Sequence, residues 1–151
     1  MAVEVGDVAP DFELTDQHGT PVRLSEHRGR HNVVVVFFPL AFSGVCTGEL
    51  GAIRDELESL GRDTRVLAVS VDSKFALRAW ADKEGYTFPL LSDFWPHGEV
   101  ARTYGVFDAE LGVALRGTFI IDREGVVRWK VVHPLPEARD IDEYRKALAA
   151  L

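Results

Sequence analysis

The chain has one cysteine, Cys46, and the hydroxyl of Ser43 stands three residues before it. An ionised thiol is a strong nucleophile, so the position of this side chain decides what it can do. Cys46 follows an apolar, β-branched stretch, Val33 to Phe38, that Pro39 stops. After it come Leu50, Ile53, Leu57 and Leu60 at helical spacing, which puts Cys46 in the first turn of a helix from Ser43 onward. Free amides and the positive end of the helix dipole converge at such a strand-to-helix junction, and both favour a thiolate. A lone cysteine is commonly just a small buried apolar residue. A helix N-terminus after a proline-stopped strand is an unusual place for one.

A single cysteine cannot form an intramolecular disulfide, and it excludes the C-x-x-C zinc and dithiol patterns. The histidines (His18, His27, His31, His97, His133) lack a recognisable metal spacing. His27 and His31 are four apart but flank Gly29 in a loop, and they read as surface residues. We expect no metal and no cofactor. The net charge is −7 and the basic residues are scattered, which argues against nucleic acid or an anionic membrane as partner. The first residues have neither the charge nor the apolar stretch of a signal peptide, and the run Val33 to Leu40 is too short to cross a bilayer. The expected location is the cytoplasm.

A length of 151 residues with 46% hydrophobic content suits one domain, residues 1–151. Phe12 to Leu14 and Pro21 to Leu24, joined by the turn Asp16 to Gly19, predict an N-terminal hairpin. Arg65 to Val71 and Phe88 to Leu91 predict strands. Lys74 to Glu84, with Gly85 behind it, and Pro96 to Tyr104 predict helices. Thr118 to Ile121 and Val126 to Val132 flank the turn Asp122 to Gly125 as a second hairpin. Ile141, Tyr144, Leu148 and Leu151 stripe a last helix. Strands alternating with helices, then a hairpin, predict an α/β fold with a mixed, helix-flanked sheet.

The octet Pro39-Leu40-Ala41-Phe42-Ser43-Gly44-Val45-Cys46 resembles the peroxiredoxin active-site pattern P-x-x-x-[T/S]-x-x-C. Gly6 to Phe12 is similar to the family's N-terminal segment, and Gly117 to Asp122 to its late strand. Arg116 stands where the family has its active-site arginine, and Glu49 matches a frequent supporting carboxylate. Phe37 to Phe42 together with Leu90 to Gly98 resembles the AhpE subgroup of one-cysteine peroxiredoxins. Most members carry threonine where this chain has Ser43, and the hydroxyl survives the change.

The resemblance implies a thioredoxin-like fold with an N-terminal hairpin extension. It also implies a thiol-dependent peroxidase acting on hydrogen peroxide and organic hydroperoxides. Cys46 would attack the O–O bond and become a sulfenic acid. Ser43 and the Cys46 amide would bond the peroxide oxygens, Arg116 would hold thiolate and developing charge, and Pro39 would shield the sulfur. Glu49 would orient Arg116, or would be a solvated first-turn carboxylate. Phe42, Trp80 and Trp95 are candidates for an apolar rim at the substrate or a dimer interface; core packing is the other reading. The sulfenic acid would need an external reductant, a low-molecular-weight thiol such as mycothiol or a redoxin, and a homodimer is a family-level expectation.

A cysteine with an ordinary pKa of about 8.5 is ~3% thiolate at pH 7, so complete ionisation raises the thiolate only ~30-fold. Most of the acceleration must come from groups that bind the transition state better than the substrate. Three other readings compete. A dithiol reductase lacks its second cysteine in Cys46-Thr47-Gly48-Glu49. A cysteine hydrolase would need a histidine base. A peroxide-sensing redox switch would oxidise without efficient turnover.

Overall fold

The computed structural model describes residues 2–151. In chain order the elements are β1 (Glu13–Thr15), β2 (Pro21–Arg23), β3 (Asn32–Phe37), α1 (Gly44–Asp55), β4 (Thr64–Ser70), α2 (Lys74–Glu84), β5 (Leu90–Ser92), α3 (Glu99–Thr103), β6 (Phe107–Asp108), β7 (Val113–Ala114), β8 (Arg116–Ile121), β9 (Val127–His133) and α4 (Ile141–Ala149). Seven strands form one sheet in the order β2-β1-β5-β4-β3-β8-β9. β3, β4 and β5 run parallel, and β8 lies antiparallel to β3. The predicted hairpins β1–β2 and β8–β9 are both present.

β3 explains why the sheet is covered on both sides. Val33, Val35 and Phe37 enter one apolar cluster; Val34, Val36 and Phe38 enter the other. A strand that is apolar at every position from Val33 on must bury both faces. The first cluster includes Tyr104 and residues of α3, with Phe12 and Leu24 from the N-terminal segment. The second includes Leu50 and Ile53 of α1, Leu77 and Trp80 of α2, and Tyr144 of α4. Cys46 lies in this second cluster, on the same stripe of α1 as Leu50 and Ile53.

The structure corrects several predicted boundaries. The helix opening at Ser43 ends at Asp55, and Leu57–Leu60 forms a separate 3₁₀ turn. The Glu56 carbonyl accepts from both the amide and the hydroxyl of Ser59, which tightens the chain there. The helix predicted over Pro96 to Tyr104 contracts to Glu99–Thr103. Gly98 takes a left-handed φ of 71°, and Asp93 accepts the Val100 and Ala101 amides from outside. Leu151 lies beyond α4 and is exposed, so the last stripe ends at Leu148. The short pair β6–β7 has strands too brief to give a period.

Gly117 follows Arg116 on β8, where Val106 presses against the backbone. An added Cβ would stand 2.7 Å from Val106 Cγ1. We predict that Gly117→Ala destabilises the fold by about 1–3 kcal/mol through overpacking, read by denaturant unfolding. An unchanged midpoint would contradict the close approach.

Candidate active site

Three elements deliver the site. α1 begins after Ser43, its N-cap, and the first amide that bonds back into the helix is Thr47 N–H, to the Ser43 carbonyl at 2.9 Å. The Gly44, Val45 and Cys46 amides precede it, at the end of a helix where amides lack intrahelical partners. Cys46 and Glu49 are three residues apart and therefore share a face. β8 supplies Arg116. Its period-two set Arg116, Thr118 and Ile120 points toward α1 and α4, because Ile120 packs with them while Phe119 and Ile121 fill the opposite cluster. The loop before α4 supplies Arg139.

These side chains form one connected network. Arg116 Nη1 donates to Cys46 Sγ at 3.2 Å and to Glu49 Oε1 at 2.5 Å. Its Nε donates to the Leu135 carbonyl at 2.6 Å. Glu49 is gripped from the other side by Arg139, whose Nε reaches Oε2 at 2.8 Å and whose Nη2 reaches Oε1 at 3.0 Å. The Arg139 amide adds a bond to Oε2 at 2.7 Å. Arg139 Nη1 is itself held by the Gly117 carbonyl and Thr118 Oγ1, both at 3.0 Å, and Thr118 bonds Tyr144. Cys46, Glu49, Arg116 and Arg139 are all buried, Cys46 with 0% exposure.

The charges decide what the cluster wants. Two guanidinium groups and one carboxylate leave a surplus of one positive charge in a buried site. A thiolate on Cys46 would cancel it, at the one atom that Arg116 touches outside the Glu49 pair and the Leu135 carbonyl. The group on the sulfur is a guanidinium, which has no lone pair to act as a base; that is the wrong partner for a hydrolase dyad. Burial pushes the Glu49 carboxyl up. The hydrogen bonds and charge of Arg139, with the charge of Arg116, more than reverse this and hold it below the ordinary glutamate range.

The remaining candidates fall into place differently. Pro39 is buried at the end of β3. The Ser43 hydroxyl donates to the Leu40 carbonyl at 2.9 Å rather than to the sulfur. Phe42 is half-exposed, has a left-handed φ of 68°, and packs at a tilt against Trp80 with centroids 6.2 Å apart. Trp80 is 1% exposed, so it is a floor of the core under Phe42 and not a rim. Trp95 is 81% exposed and lies past the end of β5. The rim reading therefore reduces, beside Cys46, to Phe42. His27 and His31 face each other with Nδ1 atoms 3.1 Å apart and are half-buried rather than fully on the surface.

Arg139 is the functional residue that sequence reasoning missed. Its only signal is an arginine immediately before the N-cap Asp140 in a loop with Pro134 and Pro136.

Truncating Arg139 strips the buried Glu49 carboxylate of two of its charged hydrogen bonds and leaves the Gly117 carbonyl and Thr118 hydroxyl without their donor. We predict that Arg139→Ala costs about 3–5 kcal/mol in denaturant unfolding. Glu49, lowered in the folded state from about 4.3 unfolded, contributes stability that is full above about pH 4.3 and lost as pH falls through the lowered value. Glu49→Gln should lack this acid component in unfolding measured across that range. An identical acid profile in wild type and Glu49→Gln would contradict the ion-pair assignment.

Known proteins are similar to this chain in both fold and sequence. The AhpC/TSA family matches residues 5–130. Alkyl hydroperoxide reductase E of Mycobacterium tuberculosis is 49% identical over 150 residues, covering 99% of this chain and 98% of that protein. The chloroplastic 2-Cys peroxiredoxin BAS1 of Spinacia oleracea is 40% identical, with 97% of this chain and 59% of that protein covered. Among solved structures, peroxidoxin BcpB from Mycobacterium tuberculosis superposes with a TM-score of 0.88 at 32% identity, over 99% of this chain and 98% of that one. AhpC from Enterococcus faecalis gives 0.89 at 31% identity, over 99% and 92%. The thioredoxin-like fold implied by the resemblance is the fold of these neighbours. The chain belongs to the AhpC/TSA family of peroxiredoxins.

Proposed function

We propose that Cys46 is the peroxidatic nucleophile of this thiol-dependent peroxidase, and that Arg116, Ser43 and Pro39 complete its site. The observation that carries the assignment is Arg116 Nη1 at 3.2 Å from Cys46 Sγ, itself fixed by Glu49. The thiolate sulfur attacks one peroxide oxygen, the S–O bond forms as the O–O bond breaks, and the departing alkoxide takes a proton. Negative charge spreads from sulfur over both oxygens. Arg116 Nη2 donates to no protein group among the described residues, so it is free to meet that charge. Because the Ser43 hydroxyl proton is committed to Leu40, its lone pairs are free to accept the peroxide O–H. The Cys46 amide is the further donor at the helix end. Pro39 keeps water from the sulfur, and Glu49 and Arg139 position Arg116.

The product is a sulfenic acid on the chain's only cysteine. A first external thiol condenses with it, releasing water and leaving a mixed disulfide; a second thiol frees Cys46 and leaves as the disulfide. We assign that reductant to a low-molecular-weight thiol of the mycothiol type or to a redoxin. A cysteine that must be reduced each cycle suits a reducing compartment, and we assign the cytoplasm. No helix among the described residues is long and apolar enough to cross a membrane. We take residues 1–151 as one domain and the working form as a homodimer. The exposed apolar side chains Leu40, Phe75, Phe94 and Trp95, which follow the ends of the parallel strands β3, β4 and β5, offer it a surface.

Two experiments test this reading. Stopped-flow oxidation followed by intact mass should show one added oxygen on wild type and none on Cys46→Ser, which should also lose thiol-dependent turnover. Arg116→Ala should oxidise at least about 100-fold more slowly even at a pH that ionises any thiol. Full turnover by Cys46→Ser, or recovery of Arg116→Ala at high pH, would overturn the assignment. In sedimentation, Trp95→Glu should shift wild-type dimers toward monomers; an unmoved distribution would remove this surface from the interface.

A further inference from the structure

Phe42 is the one non-glycine residue with a left-handed backbone among the described residues. Such a conformation persists only where its surroundings hold it. Three contacts do so. The Ser43 hydroxyl bonds the Leu40 carbonyl behind it, the Phe42 ring rests on Trp80, and the Ala41 amide donates to Asp72 Oδ2 at 2.8 Å. The third is the one that ties the turn to a different strand. Asp72 follows β4, and its Oδ2 also accepts the hydroxyl of the fully buried Ser70 at 2.6 Å. The Asp72 carbonyl accepts the Ser92 hydroxyl of β5 at 2.6 Å. The turn before the Cys46 helix is thus anchored to the end of β4 through one Asp72 carboxylate oxygen, and Asp72 is itself tied to β5 through its carbonyl.

We propose that Asp72 is a positioning residue for peroxide reduction: by seating Ala41 it fixes the Pro39–Ser43 turn, and with it the Ser43 hydroxyl and the first-turn amides, in the arrangement that fits the peroxide. The proposal rests on Cys46 being the peroxidatic nucleophile. Asp72 shares no hydrogen bond or ion pair with Cys46, Glu49, Arg116 or Arg139, so its loss leaves the charge network on the sulfur in place. A loosened turn then has two opposite consequences. The buried thiol becomes easier to reach, and the peroxide loses its aligned partners.

The test follows that opposition. Rates of Cys46 oxidation by hydrogen peroxide and of alkylation by iodoacetamide are measured on wild type, Asp72→Ala, Asp72→Asn and Ser70→Ala, with thermal unfolding as a check of folding. Asp72→Ala should be oxidised about tenfold more slowly and alkylated several-fold faster. Asp72→Asn keeps an acceptor oxygen at the same place and should restore both rates to within about threefold of wild type. Ser70→Ala, which removes one partner of that oxygen, should shift both rates in the direction of Asp72→Ala by less, and it decides the matter if Asp72→Ala does not fold. An unchanged oxidation rate, or oxidation and alkylation falling together, would overturn the proposal. Intact mass on the same wild-type samples separates the two readings: absence of the added oxygen on Cys46 would strike the peroxidatic assignment itself.

Discussion

A carboxylate clamped between two buried guanidinium groups is the interaction on which the rest of this molecule depends. Glu49 accepts from Arg139 on one side and Arg116 on the other, and Arg116 turns its remaining reach toward Cys46. Burying such a cluster costs several kcal/mol of desolvation per ion, and replacing it with apolar groups would often stabilise a fold. Its retention within an apolar stripe of α1 is therefore better explained by chemistry than by stability. The fold offsets much of the cost by giving both Glu49 oxygens and every guanidinium nitrogen of Arg139 a partner.

The arrangement also says where the rate comes from. Even a full supply of thiolate accounts for only ~30-fold at pH 7. What the clamp adds is an arginine already desolvated, already oriented, and with a free donor, so nothing reorganises when charge moves onto the oxygens. The strained turn at Phe42 serves the same end from the other side. Cys46 has no exposed surface, so its surroundings must yield locally before peroxide reaches it, and the contacts holding the adjoining turn balance access against alignment.

Much of this was legible from residue order alone. The all-apolar β3, the helix from Ser43, and the spacing of Cys46 and Glu49 follow from periodicity. Arg116 was found by resemblance, and the period-two set with Thr118 and Ile120 explains its direction. The core reading of Trp80 follows from its place with Leu77 and Ala81 on one helical stripe. Arg139 and Asp72 were not legible as parts of the site. A buried arginine in a loop has the same letter as a solvated one. Asp72 stands just before α2, whose cap is Ser73, accepting the Ala76 amide, so nothing in its position marks it as part of the site. Both act through contacts thirty or more residues away in sequence, which no local pattern encodes.

The central claim is that the site favours one transition state and does not merely expose a reactive thiolate. The most direct measurement compares wild-type Cys46 with a free cysteine thiolate, per ionised sulfur, toward hydrogen peroxide and toward iodoacetamide. The account predicts at least about a thousandfold acceleration with peroxide and none with the alkylating agent. Equal acceleration of both, or of neither, would contradict it.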